Sequence, residues 1–161
     1  MLEQEKLKSI LEYDPETGLF RWKVLGWGRK AGWFGGTSGH RYLRVYVPDK
    51  QYFAHRLAWF YVYGSMPNGE IDHINGNRHD NRIVNLRIAT RSQQLGNSRA
   101  QPRNKSGYKG VSWKRNRGKW CVQILNRYVG LFSDKVEAAR AYDEKAKEVF
   151  GDFARLNFPD A

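Results

Sequence analysis

The sequence contains a single cysteine, Cys121, among 161 residues, so it excludes an internal disulfide and any zinc site that needs two or more thiolates. It contains no run of about 18 apolar residues, the length expected of a membrane-spanning helix. Residues 1–14 lack the continuous apolar core of a secretory signal. These absences favour a reducing, intracellular setting, and we expect a cytoplasmic protein with no membrane partner and no structural zinc.

Acidic residues are scarce in one part of the chain. Lys and Arg number 28 against 16 Asp and Glu, which gives a net charge of +12. Between Arg78 and Arg127 thirteen residues are basic and one, Asp80, is acidic, whereas the rest of the chain has fifteen of each sign. The net charge is therefore confined to one continuous block, which indicates a polyanionic partner. Tyr and Trp residues within the block argue against a disordered basic tail.

Turn residues and changes in composition divide the chain into four parts. Residues 1–54 are predicted to form a short amphipathic helix followed by short strands. Residues 55–98 are predicted to form a buried helix, a strand, a polar loop, a second strand at 83–88 and a final helix. Residues 99–107 carry Pro, Gly and charge without periodicity, which is typical of a linker. Residues 108–161 contain three strand-like runs and a helix that begins near Ser133 or Asp134 and runs to about Phe150, with Gly151 just after its end.

An Asp-His pair is the main chemical motif of the sequence. Asp72 and His73 end a short apolar run and precede an Asn-Gly turn, and Asn85 follows in the next predicted strand. Phosphodiester hydrolysis needs an activated water and a divalent cation that neutralises developing charge, and these side chains suit both tasks. By spacing alone, an ordinary polar loop is the simpler explanation of the same residues.

The residues around this pair resemble HNH homing-type endonucleases of phages and mobile introns. The resemblance is carried by His55-Arg56-Leu57-Ala58-Trp59, Ile71-Asp72-His73-Ile74-Asn75-Gly76, Asp80-Asn81-Arg82-Ile83-Val84-Asn85-Leu86-Arg87 and Ala89-Thr90-Arg91-Ser92-Gln93. It implies a ββα-metal fold, in which two strands and a helix surround one divalent ion.

The same resemblance implies a role for each matching residue. His73 corresponds to the general base, Asp72 to a metal ligand, and Asn85 to the asparagine that links the strands and positions the base. The family has a His or Asn as a further metal ligand on the helix, where this sequence has Gln94, with Asn97 as the alternative. The oxygen ligands suit Mg²⁺ or Mn²⁺. His55 is expected to be a structural residue of a buried helix, and the resemblance leaves a role in supporting the site as the alternative.

The C-terminal part resembles the plant ethylene-response-factor DNA-binding domain, which also occurs fused to phage HNH nucleases. The matching residues are Ser106-Gly107-Tyr108-Lys109-Gly110-Val111, Gly118-Lys119-Trp120, Val129-Gly130-Leu131-Phe132, Glu137-Ala138-Ala139-Arg140-Ala141-Tyr142-Asp143 and Leu156-Asn157-Phe158-Pro159. This resemblance implies a three-stranded antiparallel sheet backed by one helix, with the sheet in the major groove of double-stranded DNA.

Several residues match family positions that touch bases or phosphates, namely Lys109, Lys114, Lys119, Gln123 and Tyr128. Leu125 and Tyr128 depart from the family, which usually has Arg and Trp there. In the second strand, alternation predicts that Trp120, Val122 and Ile124 pack on the helix and that Lys119, Cys121, Gln123 and Leu125 face outward. The linker residues Arg99, Arg103 and Lys105 are interpreted as a tether that follows DNA.

Together these patterns predict an α+β protein. It would contain a ββα-metal HNH nuclease core at 55–98 with a β-rich N-terminal segment at 1–54, a basic linker at 99–107, and the sheet-and-helix DNA-binding domain at 108–161. The leading hypothesis is a metal-dependent homing-type DNA endonuclease of phage or mobile-element origin in a bacterial host, dimeric only if it cuts both strands. The alternative is a DNA-binding regulator whose nuclease site has decayed, and a structural RNA-binding protein is favoured by charge alone.

Overall fold

The computed structural model describes residues 2–23, 36–37, 41–48 and 50–159, with the backbone alone at 36–37. The chain forms two compact units, a first unit of Met1–Thr90 and a second unit of Arg91–Ala161. Residues 24–35, 38–40 and 49 of the predicted N-terminal β-rich segment lie outside the described residues. The linker predicted at 99–107 lies within the second unit, and the four-part division stays a prediction.

The first unit begins with helix α1 (Gln4–Ile10) and a hairpin of β1 (Leu11–Asp14) and β2 (Leu19–Trp22). A second antiparallel sheet follows, built from β3 (Gly36–Thr37), β4 (Arg44–Val47) and β5 (Lys50–Phe53). Helix α2 (Ala54–Tyr63) comes directly after β5 and ends at Gly64, whose φ of 74° is in the left-handed region that favours glycine. The core of the unit includes Leu7, Leu11, Phe20, Val45 and Leu57, which are at most 1% exposed.

The rest of the first unit is an antiparallel pair of strands, β6 (Glu70–His73) and β7 (Leu86–Ala89). In its register Asp72 lies opposite Arg87 and His73 lies opposite Leu86. The strand expected at 83–88 is wrong in its first half, because Ile83–Asn85 form a 3-10 turn. The amide of Asn85 donates to the Arg82 carbonyl at 2.9 Å, and this bond closes the turn.

The second unit contains helix α3 (Arg91–Asn97) and a three-stranded antiparallel sheet of β8 (Val111–Lys114), β9 (Lys119–Ile124) and β10 (Arg127–Phe132). Helix α4 (Lys135–Phe150) packs against the sheet. Asp134, one of the two residues at which the sequence predicts the helix to begin, is its N-cap and accepts a 2.8 Å hydrogen bond from the Glu137 amide. The core between sheet and helix consists of Val111, Val122, Ile124, Ala138, Ala139, Tyr142, Ala146 and Phe150.

The expectation of a mixed protein with small antiparallel sheets is confirmed, but the exposure expected for one residue of β9 is wrong. Cys121 is 3% exposed, although alternation placed it on the outer face. It lies on the central strand, opposite Ser112 of β8 and Leu131 of β10. A residue in this position is flanked on both sides, so its small side chain is covered even where the face is open to solvent. In the described part of the chain, no helix has the length and apolar character needed to cross a bilayer.

Two glycines in the second unit allow the packing of α4 against the sheet to be tested. Gly110 and Gly118 both have positive φ, 74° and 59°. A Cβ at Gly110 would overlap the Tyr142 ring, whereas a Cβ at Gly118 would meet no atom within 4 Å among the described residues. Both substitutions by Ala therefore bear the cost of the left-handed region, and only one adds an overlap in the core.

We expect Gly118→Ala to lower the free energy of unfolding by about 1–2 kcal/mol, the cost of a non-glycine residue in the left-handed region. Gly110→Ala should lower it by about 1–3 kcal/mol more, because the core must also expand around Tyr142. Urea denaturation followed by tryptophan fluorescence measures both values. Equal losses for the two variants would contradict the described contact between Gly110 and Tyr142.

Candidate functional site

The carboxylate of Asp72 is fixed across the strand pair. Asp72 is 8% exposed, and its Oδ2 accepts a hydrogen bond from Nε of Arg87 at 3.0 Å. Arg87 is the residue directly opposite in the β6–β7 register. Because the two residues are cross-strand neighbours, the ion pair orients the carboxylate through the sheet itself.

The imidazole of His73, the next residue along β6, is buried as well. His73 is 4% exposed, and its Nε2 lies 3.3 Å from Oδ1 of Asn81. Burial lowers the pKa of His73 below its ordinary value, and this effect outweighs the contact with Asn81 and the charge of Asp72, which both raise it. His73 is therefore neutral at physiological pH and can accept a proton.

His55 of α2 packs directly against His73, a contact that the sequence did not predict, although the resemblance left a supporting role for His55 open. The two rings meet edge to face with their centroids 5.2 Å apart, and His55 stacks on Phe53 at 5.5 Å. Burial, together with the nearby His73, lowers the pKa of His55 to about 3, so this ring is also neutral. Its Nδ1 is buried and makes no hydrogen bond within the described part of the structure. The sequence offered one signal, which is that His55 lies inside the stretch that carries the resemblance.

Asn85 uses both polar atoms of its side chain to close the loop between β6 and β7. Its Oδ1 accepts from the Asn75 amide at 3.0 Å, and its Nδ2 donates to the Asp80 carbonyl at 2.8 Å. Asn85 is 6% exposed, so these bonds are made away from bulk water. The side chain thus links the two ends of the loop, and its role in positioning His73 stays a prediction.

A second set of bonds stiffens the same loop from outside. Arg82 binds both carboxylate oxygens of Asp80, with Nε to Oδ1 at 2.8 Å and Nη2 to Oδ2 at 2.6 Å. Nδ2 of Asn75 donates to Oδ2 at 2.7 Å. The hydrogen bonds from Arg82 hold the pKa of Asp80 down at about 2, so the carboxylate keeps its charge and its partners.

The predicted metal ligands of the helix lie on α3, which belongs to the second unit. Gln94 is half-buried and Asn97 is 9% exposed. Within that unit α3 packs on α4 at Gly96, where a Cβ would lie 2.7 Å from Cγ of Phe150. A glycine is needed here because the helix backbone and the Phe150 ring approach so closely.

Lys109, predicted to touch DNA, is engaged at the C-terminal end of α3. Its ammonium donates to the carbonyls of Leu95 and Gly96. The Arg155 amide also donates to the Gly96 carbonyl, at 3.0 Å. Burial, with a smaller contribution from the charge of Arg155, lowers the pKa of Lys109 to about 8. In this structure Lys109 therefore caps a helix, and its contact with DNA stays a prediction.

The donor atoms of the site are hard oxygens and imidazole nitrogens. Across the described ranges, no group of three or more His, Cys, Asp or Glu side chains forms a metal site. Asp72 is the carboxylate of the candidate site in the first unit. Carboxylate and amide oxygens fit a hard divalent ion, whereas imidazole is not a ligand that Mg²⁺ prefers.

Four predicted DNA-binding residues are exposed on the outer face of the sheet. Lys114 lies directly opposite Lys119, and Gln123 lies directly opposite Tyr128. Three of them, Lys114, Gln123 and Tyr128, line an open depression of about 500 Å³ together with Asn116, Arg117, Cys121 and Leu131. Like charges directly opposite each other destabilise a sheet, so the lysine pair indicates a surface arranged for an anion rather than for stability.

The predicted tether residues Arg99, Arg103 and Lys105 are exposed, and they line an open cavity of about 1000 Å³ together with Arg115. The backbone between them is not a bare spacer. Nδ2 of Asn104 donates to the Tyr108 carbonyl at 2.7 Å, and the Ser106 amide donates to Oδ1 of Asn104 at 2.8 Å.

Comparison with known proteins gives two kinds of similarity. Residues 52–95 match the family model described as HNH endonuclease. Protein 3.8 of Escherichia phage T7 is 30% identical over 106 residues, which cover 63% of this chain and 88% of that protein. The uncharacterized HNH endonuclease L560 of Acanthamoeba polyphaga mimivirus is 27% identical over 140 residues, covering 86% of this chain and 72% of the other.

The other similarity is to plant proteins. Dehydration-responsive element-binding protein 2C of Arabidopsis thaliana is 44% identical over 59 residues, or 33% of this chain. The chain spans 17% of the length of that plant protein. No solved structure matches the chain.

The role of Asn85 in the loop can be tested without reference to activity. Asn85→Ala removes the partners of the Asn75 amide and the Asp80 carbonyl, and we expect a loss of about 1–3 kcal/mol in the free energy of unfolding. Hydrogen exchange at the Asn75 amide should accelerate. Asn77→Ala removes one solvent-exposed bond in the same loop, to the His79 amide, and should change stability by at most about 0.5 kcal/mol. An unchanged exchange rate in Asn85→Ala would contradict the described bonds.

Proposed function

The chain belongs to the HNH endonuclease family, and on this basis we propose that it is a divalent-metal-dependent, homing-type DNA endonuclease whose second unit reads the sequence. The observation that carries the proposal is a buried, neutral His73 beside a fixed carboxylate, Asp72. A neutral imidazole in a closed pocket can remove a proton from a water molecule, and a protonated one cannot. We expect it to act on DNA in the cytoplasm of a bacterial host, since one relative is a phage protein.

Each residue of the candidate site has a separate task in this proposal. His73 takes the proton of the attacking water, and the cross-strand ion pair with Arg87 keeps the Asp72 carboxylate in one orientation. Asn85 holds the loop that surrounds His73. A ββα-metal site would hold one Mg²⁺ or Mn²⁺ through Asp72 and the amide oxygen of Gln94, or of Asn97 instead. The bound ion supplies charge stabilisation to the phosphate.

The second unit supports binding to double-stranded DNA. Its exposed sheet face carries Lys114, Lys119, Gln123 and Tyr128 in two cross-strand pairs. The plant relatives are named as element-binding proteins and as an ethylene-responsive transcription factor. We propose that this face reads bases in the major groove and that Arg99, Arg103 and Lys105 contact phosphates. One such site cuts one strand, so cleavage of both strands requires a homodimer or two successive nicks.

Gln94 favours a second candidate function, a DNA-binding regulator with a decayed nuclease site. The family has a His or Asn where this chain has Gln94, and the longer side chain changes the reach of its amide oxygen. Asp72, His73 and Asn85 remain in place and favour the enzyme. A cleavage assay separates the two functions, because both predict DNA binding and the enzyme alone predicts nicking.

We expect the protein to convert supercoiled plasmid to nicked circles in Mg²⁺ or Mn²⁺ and to stop when EDTA is added. His73→Ala should lower the rate by at least about 100-fold, the contribution of a general base. A gel-shift assay on fragments of the same plasmid verifies that His73→Ala still binds DNA. Absence of metal-dependent nicking on DNA that the protein demonstrably binds would favour the regulator.

The reading face predicts a specific dependence on salt. Lys119→Gln should weaken DNA binding and reduce the slope of log K against log salt by about one, the effect of a lost phosphate contact. Lys147→Gln removes the same charge from an exposed position on α4 and should leave the slope unchanged. Equal slopes for Lys119→Gln and the unmodified protein would place the contact surface elsewhere.

A further inference from the structure

Asn81 is a polar side chain in the site whose role neither the family resemblance nor the sequence pattern assigns. It is 0% exposed, although it lies in a loop of otherwise polar and mostly exposed residues. Its Oδ1 lies 3.3 Å from Nε2 of His73. A buried amide beside the proposed base is costly unless its polar atoms are used, so its contacts define what it does there.

The orientation of the Asn81 amide follows from its other end. Nδ2 of Asn81 donates to the His79 carbonyl at 3.3 Å. An amide has one donor end and one acceptor end, and the carbonyl takes the donor end. The acceptor end, Oδ1, therefore faces His73, and a hydrogen bond between them requires the proton on Nε2. A neutral imidazole carries one ring proton, so its Nδ1 then carries a lone pair.

The N-terminal hairpin holds Asn81 in place from the opposite side. The Tyr13 hydroxyl donates to the Asn81 carbonyl at 2.8 Å. Tyr13 is itself 6% exposed and packs against Phe20 and Tyr61, with ring centroids 5.0 and 5.6 Å away. Burial raises the pKa of Tyr13 to about 12, so its hydroxyl remains a donor at any working pH.

The turn of the same hairpin closes on the same peptide. Gly18 has a φ of 72°, and a Cβ there would lie 2.5 Å from the carbonyl carbon of Asn81 and would overlap the Arg82 nitrogen. The backbone of Asn81 is thus in contact with two parts of the hairpin, the Tyr13 hydroxyl of β1 and the turn at Gly18 between β1 and β2. A segment remote in sequence therefore fixes the residue that touches His73.

We propose that Asn81 is a positioning residue that holds His73 in the Nε2–H tautomer, so that Nδ1 is the nitrogen that accepts the proton of water. The β1–β2 hairpin in turn holds Asn81 in position. The catalytic half of this proposal rests on the proposed function. The tautomer and its dependence on Asn81 are properties of the folded protein, and they can be measured whether or not it cuts DNA.

The first test is NMR of the full chain with ¹⁵N-labelled histidine, in which His73→Ala assigns the His73 signals. The two nitrogens of a neutral imidazole ring have well-separated ¹⁵N chemical shifts, so the shifts identify the nitrogen that carries the proton. We expect the proton on Nε2 in the unmodified protein. A proton on Nδ1 would overturn the proposal, whatever the protein does to DNA.

Variants then test whether Asn81 is the cause. Asn81→Asp keeps an oxygen that accepts from Nε2–H, and the Nε2–H form should persist. Asn81→Ala removes the acceptor, and the ring should become a mixture of tautomers. Asn68→Ala makes the same change at an exposed position of the same unit and should leave the spectrum unchanged. A pure Nε2–H form in folded Asn81→Ala would overturn the proposal. If Asn81→Ala does not fold, the deciding variant is Asn81→Asp, in which loss of the Nε2–H form would overturn the proposal.

Kinetics test the catalytic consequence. Asn81→Ala should lower kcat for nicking by about 10- to 100-fold, the usual effect of losing a residue that orients a site residue. KM for DNA should stay unchanged, because in this proposal Asn81 contacts His73 and not the substrate. Asn68→Ala should match the unmodified protein in both constants. An unchanged kcat in Asn81→Ala, or a change in KM alone, would overturn the positioning role. A protein that never nicks but shows the expected tautomers retains the assignment of Asn81 and loses the proposed function.

Discussion

The two hydrogen bonds from the Asn85 side chain are the constraint on which the candidate site depends. They join the Asn75 amide to the Asp80 carbonyl and so fix both ends of the loop after β6. The Asp80–Arg82 pair and the Asn81 amide that meets His73 come directly at and after the second of these ends. The site is therefore built around one strand and one loop: β6 supplies the histidine and the carboxylate, β7 supplies Arg87, and the loop supplies the contact with the histidine.

The two units arrange their charged side chains in opposite ways. In the first unit the charged groups near His73 are neutralised in pairs, Asp72 with Arg87 and Asp80 with Arg82. In the second unit, lysines stand across from each other on the outer face of the sheet. Paired charges orient groups for chemistry, and unpaired like charges attract an anion at some cost in stability. The block of positive charge in the sequence thus contains two different arrangements.

Local patterns predicted the elements of this fold well, and contacts distant in sequence were the part they could not give. A start of α4 at Ser133 or Asp134 and an end at Gly151 follow from residues beside one another, and the structure has Asp134 as N-cap and Gly151 as C-cap. Strand alternation gave the direction of Cys121 correctly but not its burial, which depends on both neighbouring strands. The 3-10 turn at Ile83–Asn85 replaced part of a strand because side-chain bonds of Asn85 compete with strand pairing.

The contacts of His55 and Asn81 with His73 were missed for a related reason. The His55 contact joins α2 to β6, and the Asn81 contact depends on which end of the side-chain amide faces His73. Neither contact produces a periodic pattern in the sequence. Lys109 shows the same limit: a count of positive charges includes it, but its ammonium binds the carbonyls that end α3.

The packing of Gly96 against Phe150 bears on how such proteins can be recombined. By sequence α3 belongs to the stretch that matches the HNH model, but by packing it is part of the second unit, since Gly96, Arg155 and Lys109 tie it there. A chimaera joined at the glycine- and proline-bearing stretch 99–107 would separate α3 from the surface that supports it. A junction before Arg91 keeps this helix with its supporting surface, so an exchange of the second unit must include the last helix of the HNH match.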